Sequence, residues 1–169
     1  MPSFAIVGAT GAAGSVLRGL IGGWDDVTYF ATSRSAGSEL DGRVIKEGTP
    51  EALASGGFDV AFFAVGAKAS RELVPHAVRG GAVAIDKSSA WRMEPNVPLV
   101  VPEVNGARAL EHEGILAVPN CSTIQMTVAL KPLHDAAGLR SVRVATYQSV
   151  SGAGKQAMER LRGQSVEDN

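Results

Sequence analysis

The only cysteine among the 169 residues, Cys121, sits in the stretch ILAVPNCSTIQM, behind Pro119-Asn120 and ahead of Ser122-Thr123. A thiol attacks carbon as the thiolate, and a helix N-terminus favours that form. An apolar run stops at Val118, and Thr123 to Ala137 reads as a helix, so the sulfur falls where a turn opens a helix. Ser122 and Thr123 are capping candidates there. Asn120 is placed to donate a hydrogen bond to an oxyanion, together with backbone N–H groups of the turn. Nucleophilic catalysis is one reading of this arrangement. An inert structural cysteine is the other, and the local pattern leaves both open.

A second group of residues points to a phosphate-bearing cofactor. Gly8, Gly11 and Gly14 follow the apolar run Phe4 to Val7 and precede a helical segment. Glycines at such a switch let the backbone turn sharply and approach a pyrophosphate, whose charge then meets the free N–H groups of the helix. The end of the next strand carries Thr32-Ser33-Arg34-Ser35, with Arg34 standing 20 positions after Gly14. An acid there would hold ribose hydroxyls. A guanidinium with flanking hydroxyls suits a 2′-phosphate, so the pattern favours NADP over NAD.

These residues need elements to hold them. Phe4-Ala5-Ile6-Val7 reads as a buried parallel strand, and Ser15 to Ile21 as a helix ended by Gly22-Gly23. Val27 to Ala31, Asp59 to Val65 and Ala82 to Asp86 are further strands, with a helix near Ala69 to Arg79 and a short extra strand within Arg43 to Glu47. Strand and helix alternate with glycines at the switches, the pattern of an α/β, doubly wound, mostly parallel sheet. Beyond Pro95 the text is proline-punctuated, then helical from Gly106 to Glu113, with a strand at Ile115 to Val118. In the helix from Thr123 to Ala137, Pro132 predicts a kink or a break. Val142 to Gln148 alternates as a strand, and Ser151-Gly152-Ala153-Gly154 leads into a last helix reaching about Arg162.

Composition narrows the classes. The chain is 45% hydrophobic and 20% charged, so it can build a core and disorder is disfavoured. The net charge of −1 with scattered Lys and Arg offers no footprint for nucleic acid. No apolar stretch reaches membrane-spanning length, and the opening MPSFAIVGATG lacks a basic leader; the chain reads as cytoplasmic. One cysteine forms no internal disulfide, which fits a reducing compartment. No metal site is expected.

The blocks GATGAAGS, SRSAG, WRM, VPLVVPEVN, VPNCSTIQM and TYQSVSGAGK occur in this order. Together they resemble aspartate-β-semialdehyde dehydrogenase, across nearly the whole chain. The resemblance implies a Rossmann-like NADP-binding domain over 1–122, with 123–169 beginning an α+β substrate and dimerisation domain. It implies the NADP-dependent reductive dephosphorylation of β-aspartyl phosphate, on the route to lysine, threonine, methionine and isoleucine, by a homodimer. Carried over motif by motif, Cys121 becomes the nucleophile forming an acyl-thioester, and Gln148 hydrogen-bonds the substrate near the sulfur. Gly8 and Thr10, Gly11, Ala12 and Ala13 line the cofactor phosphates, and Arg34-Ser35 the 2′-phosphate. Ser151-Gly152 supply a second cofactor contact, and Arg92 binds the substrate phosphate. Lys155 reads as solvated or helix-capping.

The family's general-base histidine and substrate arginine have no counterpart here; His76, His112 and His134 match neither motif. The expectation is therefore an incomplete chain, ending soon after a new sheet begins, that turns over poorly and self-associates through exposed apolar surface. Two alternatives stand beside this reading. One is a related cysteine enzyme, N-acetyl-glutamyl-phosphate reductase or a glyceraldehyde-phosphate dehydrogenase, which VPNCSTIQM disfavours. The other is a non-catalytic NADP-binding module.

Overall fold

The computed structural model describes the backbone of residues 1–167, and their side chains except those of 155, 156 and 164–167. Strand β1 (Phe4–Val7) leads through the glycine loop into α1 (Ala12–Ile21) and β2 (Val27–Ala31). Three short strands follow, β3 (Glu39–Leu40), β4 (Arg43–Val44) and β5 (Lys46–Glu47), then α2 (Pro50–Ala54). Next come β6 (Val60–Phe63), α3 (Ala67–Arg79), β7 (Val83–Asp86), α4 (Pro102–Asn105), a 3-10 turn (Gly106–Glu111) and β8 (Ile115–Ala117). Helix α5 (Cys121–Ala137), a second 3-10 turn (Val150–Ala153) and α6 (Lys155–Glu167) complete the described chain.

Six strands form one sheet in the order β5-β2-β1-β6-β7-β8, and every pairing is parallel. The order runs one way from β1 to β2 and the other way from β6 to β7, the signature of a doubly wound, Rossmann-like sheet. Such a sheet opens a crevice at the carboxyl ends of β1 and β6. Alternation along each strand sends side chains to two cores. Val7, Phe30 and Phe63 pack under α2 and α3 with Leu53, Leu73 and Val74. Ile6, Tyr29 and Ala31 pack with Ile21 of α1 on the opposite face.

The glycine loop is set by close backbone approach. Gly8 has φ of +90°, and a Cβ there would lie 2.6 Å from the carbonyl oxygen of Ala64, at the end of β6. A Cβ on Gly14 would fall on the carbonyl oxygen of Gly8. Gly8 thus makes the turn, Gly14 lets α1 press against β1, and Gly11 caps the helix from extended backbone.

Several local expectations are corrected. Helix α1 begins at Ala12, three positions ahead of the expected Ser15, because two alanines continue the helix back to the Gly11 cap. The extra strand expected within Arg43 to Glu47 divides. Its first half pairs back on β3 through Asp41 and Gly42, both with positive φ, the two-residue hairpin turn; its second half joins β2 at the sheet edge. The helical expectation for Gly106 to Glu113 is met by a 3-10 turn preceded by the short α4. Pro132 does not break α5, which runs unbroken to Ala137, since a proline removes one N–H donor and leaves the flanking turns bonded. Val142 to Gln148 is not a strand: a strand is defined by its ladder, and no described residue pairs with this exposed segment.

Buried hydrophobic side chains run from Ala5 to Ala117, and none of residues 121–153 is buried. Tyr147 is fully exposed and Val144 is 61% exposed. Among the described residues, no helix is long and apolar enough to cross a membrane.

The glycines give a paired test. Gly14→Ala should lower unfolding free energy by roughly 2 kcal/mol or more, because backbone must move to admit the methyl group. Gly19→Ala, on the same helix with open space around it, should raise stability by about 0.5–1 kcal/mol. Urea denaturation of both variants checks the contrast.

Candidate active site

The candidate cofactor, phosphate and catalytic residues up to Asn120 lie in segments that leave the carboxyl ends of parallel strands. The loop Gly8 to Ala13 leaves β1, Arg34-Ser35 leave β2, Arg92 lies in the segment leaving β7, and Asn120-Cys121 follow β8. Ala13 and Val118 line one cleft of about 330 Å³, with Phe62, Ile85 and Lys87 between them. The glycine loop and the approach to the cysteine therefore share one edge of the sheet. A larger hollow of about 520 Å³, lined among others by Ser3, Asp26 and Phe58, contains none of the candidate residues.

Cys121 is the first residue of α5 and is exposed. The cap is Asn120, in place of Ser122 or Thr123: its Oδ1 accepts from the Ser122 N–H at 3.1 Å and from the Ser122 hydroxyl at 2.6 Å. Asparagine is among the best N-cap residues because its short side chain reaches back to the first free N–H groups. Gln148 then closes on the pair. Its Nε2 donates to Asn120 Oδ1 at 3.0 Å and to the Cys121 sulfur at 3.5 Å. The thiol has Asn120 Oδ1 within 3.9 Å as an acceptor. Protonated, the sulfur donates to Asn120; ionised, it accepts from Gln148 and faces the amino end of a 17-residue helix. Gln148 comes from 27 positions down the chain, so this contact is tertiary.

The remaining candidates are placed as follows. Thr10, Gly11 and Ala12 are exposed and Ala13 is half-buried, with the first N–H groups of α1 pointing from the loop. Arg34 is exposed beside exposed Thr32 and Ser33, and no carboxylate occurs in 32–38. Arg92 Nε donates to Val118 O at 3.0 Å and its Nη2 to Lys87 O at 2.8 Å, which ties the β7 loop to the segment entering Cys121. Ser151 and Gly152 lie exposed in the second 3-10 turn, where Ser151 bonds Ser149 and not the glycine loop. The histidines serve local structure: His76 contacts Arg79, His112 accepts from the Gly114 N–H and His134 from the Leu139 N–H. None bonds Cys121 among the described residues. The Lys155 side chain lies outside the described residues. No group of metal-ligating side chains occurs among those described.

One set of residues near the site escaped sequence reading. Asp86, fully buried at the end of β7, accepts from the Ser70 hydroxyl at 2.8 Å and the Ser88 hydroxyl at 2.6 Å. Burial pushes its carboxyl above the usual carboxylate range, against the opposing pull of both serines and of Arg92. An acid closing the apolar run Ala82 to Ile85 was the available signal.

Known proteins resolve what kind of chain this is. Residues 3–112 match the family described as "Semialdehyde dehydrogenase, NAD binding domain", and residues 130–169 match its "dimerisation domain". The chain belongs to the semialdehyde dehydrogenase family. It is 45% identical to the aspartate-semialdehyde dehydrogenase of Bacillus subtilis, with 95% of this chain and 48% of that protein covered. It is 48% identical to the one from Aquifex aeolicus, covering 95% of this chain and 50% of that protein. Among solved structures it resembles aspartate semialdehyde dehydrogenase II of Vibrio cholerae complexed with ASA, at a TM-score of 0.85 and 38% identity, covering 97% of this chain and 51% of that one. The Candida albicans enzyme with NADP matches at a TM-score of 0.63 and 26% identity, over 82% of this chain and 48% of that one. The chain thus spans about half the length of the curated relatives it matches.

Two measurements probe the geometry. Replacing Gln148 by Leu removes a donor to the sulfur, and iodoacetamide should label Cys121 roughly tenfold more slowly, as for loss of a hydrogen bond to a charged group. Tyr147→Ala should leave the rate unchanged. For Asp86 the raised folded-state pKa means the native state holds its proton where the unfolded chain has lost it. The stability of the wild type relative to Asp86→Asn should then fall as pH rises from near 3.8 and level off above the folded-state value. Denaturation curves of both proteins across acidic pH would show it.

Proposed function

We propose that this chain is the cofactor-binding and nucleophile-bearing part of an NADP-dependent aspartate-semialdehyde dehydrogenase, acting on β-aspartyl phosphate. The observation that carries the reading is Gln148 donating to the sulfur of Cys121 at the first position of α5. The named relatives support the substrate class. We assign residues 1–122 to the cofactor domain and 123–169 to the start of a substrate and dimerisation domain.

The glycine loop fits a dinucleotide. With Gly14 pressed on Gly8 and Gly11 capping α1, the N–H groups of residues 12 and 13 are free to receive a pyrophosphate, and no side chain of Gly8, Gly11 or Gly14 obstructs it. Thr10 supplies a hydroxyl at the same turn, Arg34 and Ser35 would take the 2′-phosphate, and Ser151-Gly152 would add a second contact. NADPH, when bound, supplies the hydride that takes the acyl group to the aldehyde level.

The chain's own residues do the capture. The Cys121 thiolate forms a C–S bond to the acyl carbon of β-aspartyl phosphate, the C–O bond to phosphate breaks, and phosphate leaves with the electron pair. Asn120 and backbone N–H groups of the turn stabilise the oxyanion, Gln148 holds sulfur and substrate together, and Arg92 receives the phosphate. No histidine or carboxylate bonds the sulfur among the described residues, so proton transfer relies on groups other than these and turnover by this chain is slow. The complete enzyme works as a homodimer in the cytosol, where an exposed thiol stays reduced.

Intact-mass measurement after mixing with aspartate semialdehyde or β-aspartyl phosphate tests the reading. An adduct on Cys121 that Cys121→Ser abolishes is expected; NADP binding with no adduct would make the chain a binding module instead. Arg34→Ala should weaken NADPH binding about tenfold or more while leaving NADH unchanged, the cost of a charge-assisted hydrogen bond. Fluorescence titration of both nucleotides decides it.

A further inference from the structure

The segment that carries Arg92 hangs from a single buried acid. Asp86 Oδ1 accepts from Ser70, whose oxygen in turn accepts the indole N–H of Trp91 at 2.9 Å. Asp86 Oδ2 accepts from Ser88, whose oxygen accepts the Ala90 N–H at 3.0 Å. Each hydroxyl accepts one loop N–H and donates its single proton to Asp86. A side chain that accepts twice keeps both arms in this donor direction. A carboxylate does so; an asparagine of the same shape has one accepting oxygen and turns the other bond round, leaving that hydroxyl's proton without its acceptor. The arms grip the two residues immediately before Arg92. Two positions after it, Glu94 is held by Arg71 at 2.6 Å, and Arg71 also stacks 4.6 Å from the Trp91 ring.

Arg92 is thereby presented in one orientation. Its Nε and Nη2 donate along one edge of the guanidinium to Val118 O and Lys87 O. Its Nη1 makes no hydrogen bond among the described residues, so the outward fork of Nη1 and the second Nη2 proton faces away from the two carbonyls. A planar fork fixed along one edge binds an oxyanion with less loss of side-chain freedom than a mobile one.

We propose that Asp86 is a positioning residue for Arg92: through Ser70 and Ser88 it sets the loop so that the guanidinium meets the two carbonyls and offers its free fork to a phosphate. This rests on the assignment of Arg92 to phosphate in the preceding subsection. Asp86 is fully buried and bonds only the two serines that hold the loop, so it acts on Arg92 through that loop.

Nitrogen-15 NMR of the Arg92 Nε–H group in this chain, with inorganic phosphate as the probe, tests the proposal. In the wild type that resonance should be distinct and slow to exchange with water. In Asp86→Asn it should move to the position of free arginine side chains and exchange at least tenfold faster, and phosphate should bind about tenfold more weakly. Should Asp86→Asn fail to fold, Ser88→Ala cuts one arm only and is expected to give the same shift in the Nε–H signal. A purely structural role would lower the melting temperature and leave the Nε–H signal unchanged in the folded variant, which overturns the proposal. If Arg92→Ala leaves phosphate binding intact while the Nε–H signal still answers to Asp86, the phosphate assignment fails and the positioning stands. If Arg92→Ala abolishes phosphate binding and Asp86→Asn alters neither signal nor affinity, the positioning fails alone.

Discussion

The contact on which the rest of this chain depends is backbone against backbone, where the carbonyl of Gly8 meets the Cα of Gly14 and leaves no room for a side chain. Because the first helix can press that closely on the first strand, its amino end stays at the carboxyl edge of the sheet. The same crowding brings the Gly8 turn against Ala64 at the end of β6, where the strand order reverses. A crevice is then unavoidable at that edge, since connections leave β1 and β6 toward opposite sides.

What the sheet offers along that edge is a series of short segments, each anchored at one end by a strand. Their lengths leave each segment free to place one side chain, and tertiary hydrogen bonds choose where. Arg92 links the β7 loop to the backbone just before Pro119, and Gln148 reaches across from beyond α5 to Asn120 and Cys121. The two links flank the same few residues. The placement of Arg92 and that of the sulfur are thus mechanically joined through residues 118–121, without sharing a side chain.

The two halves of the chain differ in kind. Up to Ala117 the helices and strands bury one another in two cores, one on each face of the sheet. From Cys121 to Ala153 nothing is buried, and apolar side chains such as Leu133, Val144 and Tyr147 face outward. Burial of apolar area is the main favourable term in folding, and within this chain it is concentrated in the first part, while the second keeps its apolar side chains exposed.

Where an element draws its stability from its own residues, the sequence was enough. Short apolar runs located β1, β2, β6 and β7, and the spacing of Gly8, Gly11 and Gly14 located the turn they serve, because these patterns are local and each residue states its backbone preference directly. Cys121 was legible as a residue at a helix start, although which neighbour caps it was not: Asn120, Ser122 and Thr123 all cap well, and only the position of the first N–H groups selects Asn120. The Asp41-Gly42 hairpin and the failure of Val142 to Gln148 to form a strand turned on pairing, which is a property of two segments. The tertiary structure alone brought Gln148 to the sulfur and tied Asp86 to the loop of Arg92, since residues 27 positions apart, or linked through Ser70 and Ser88, carry no periodic signal in the chain between them.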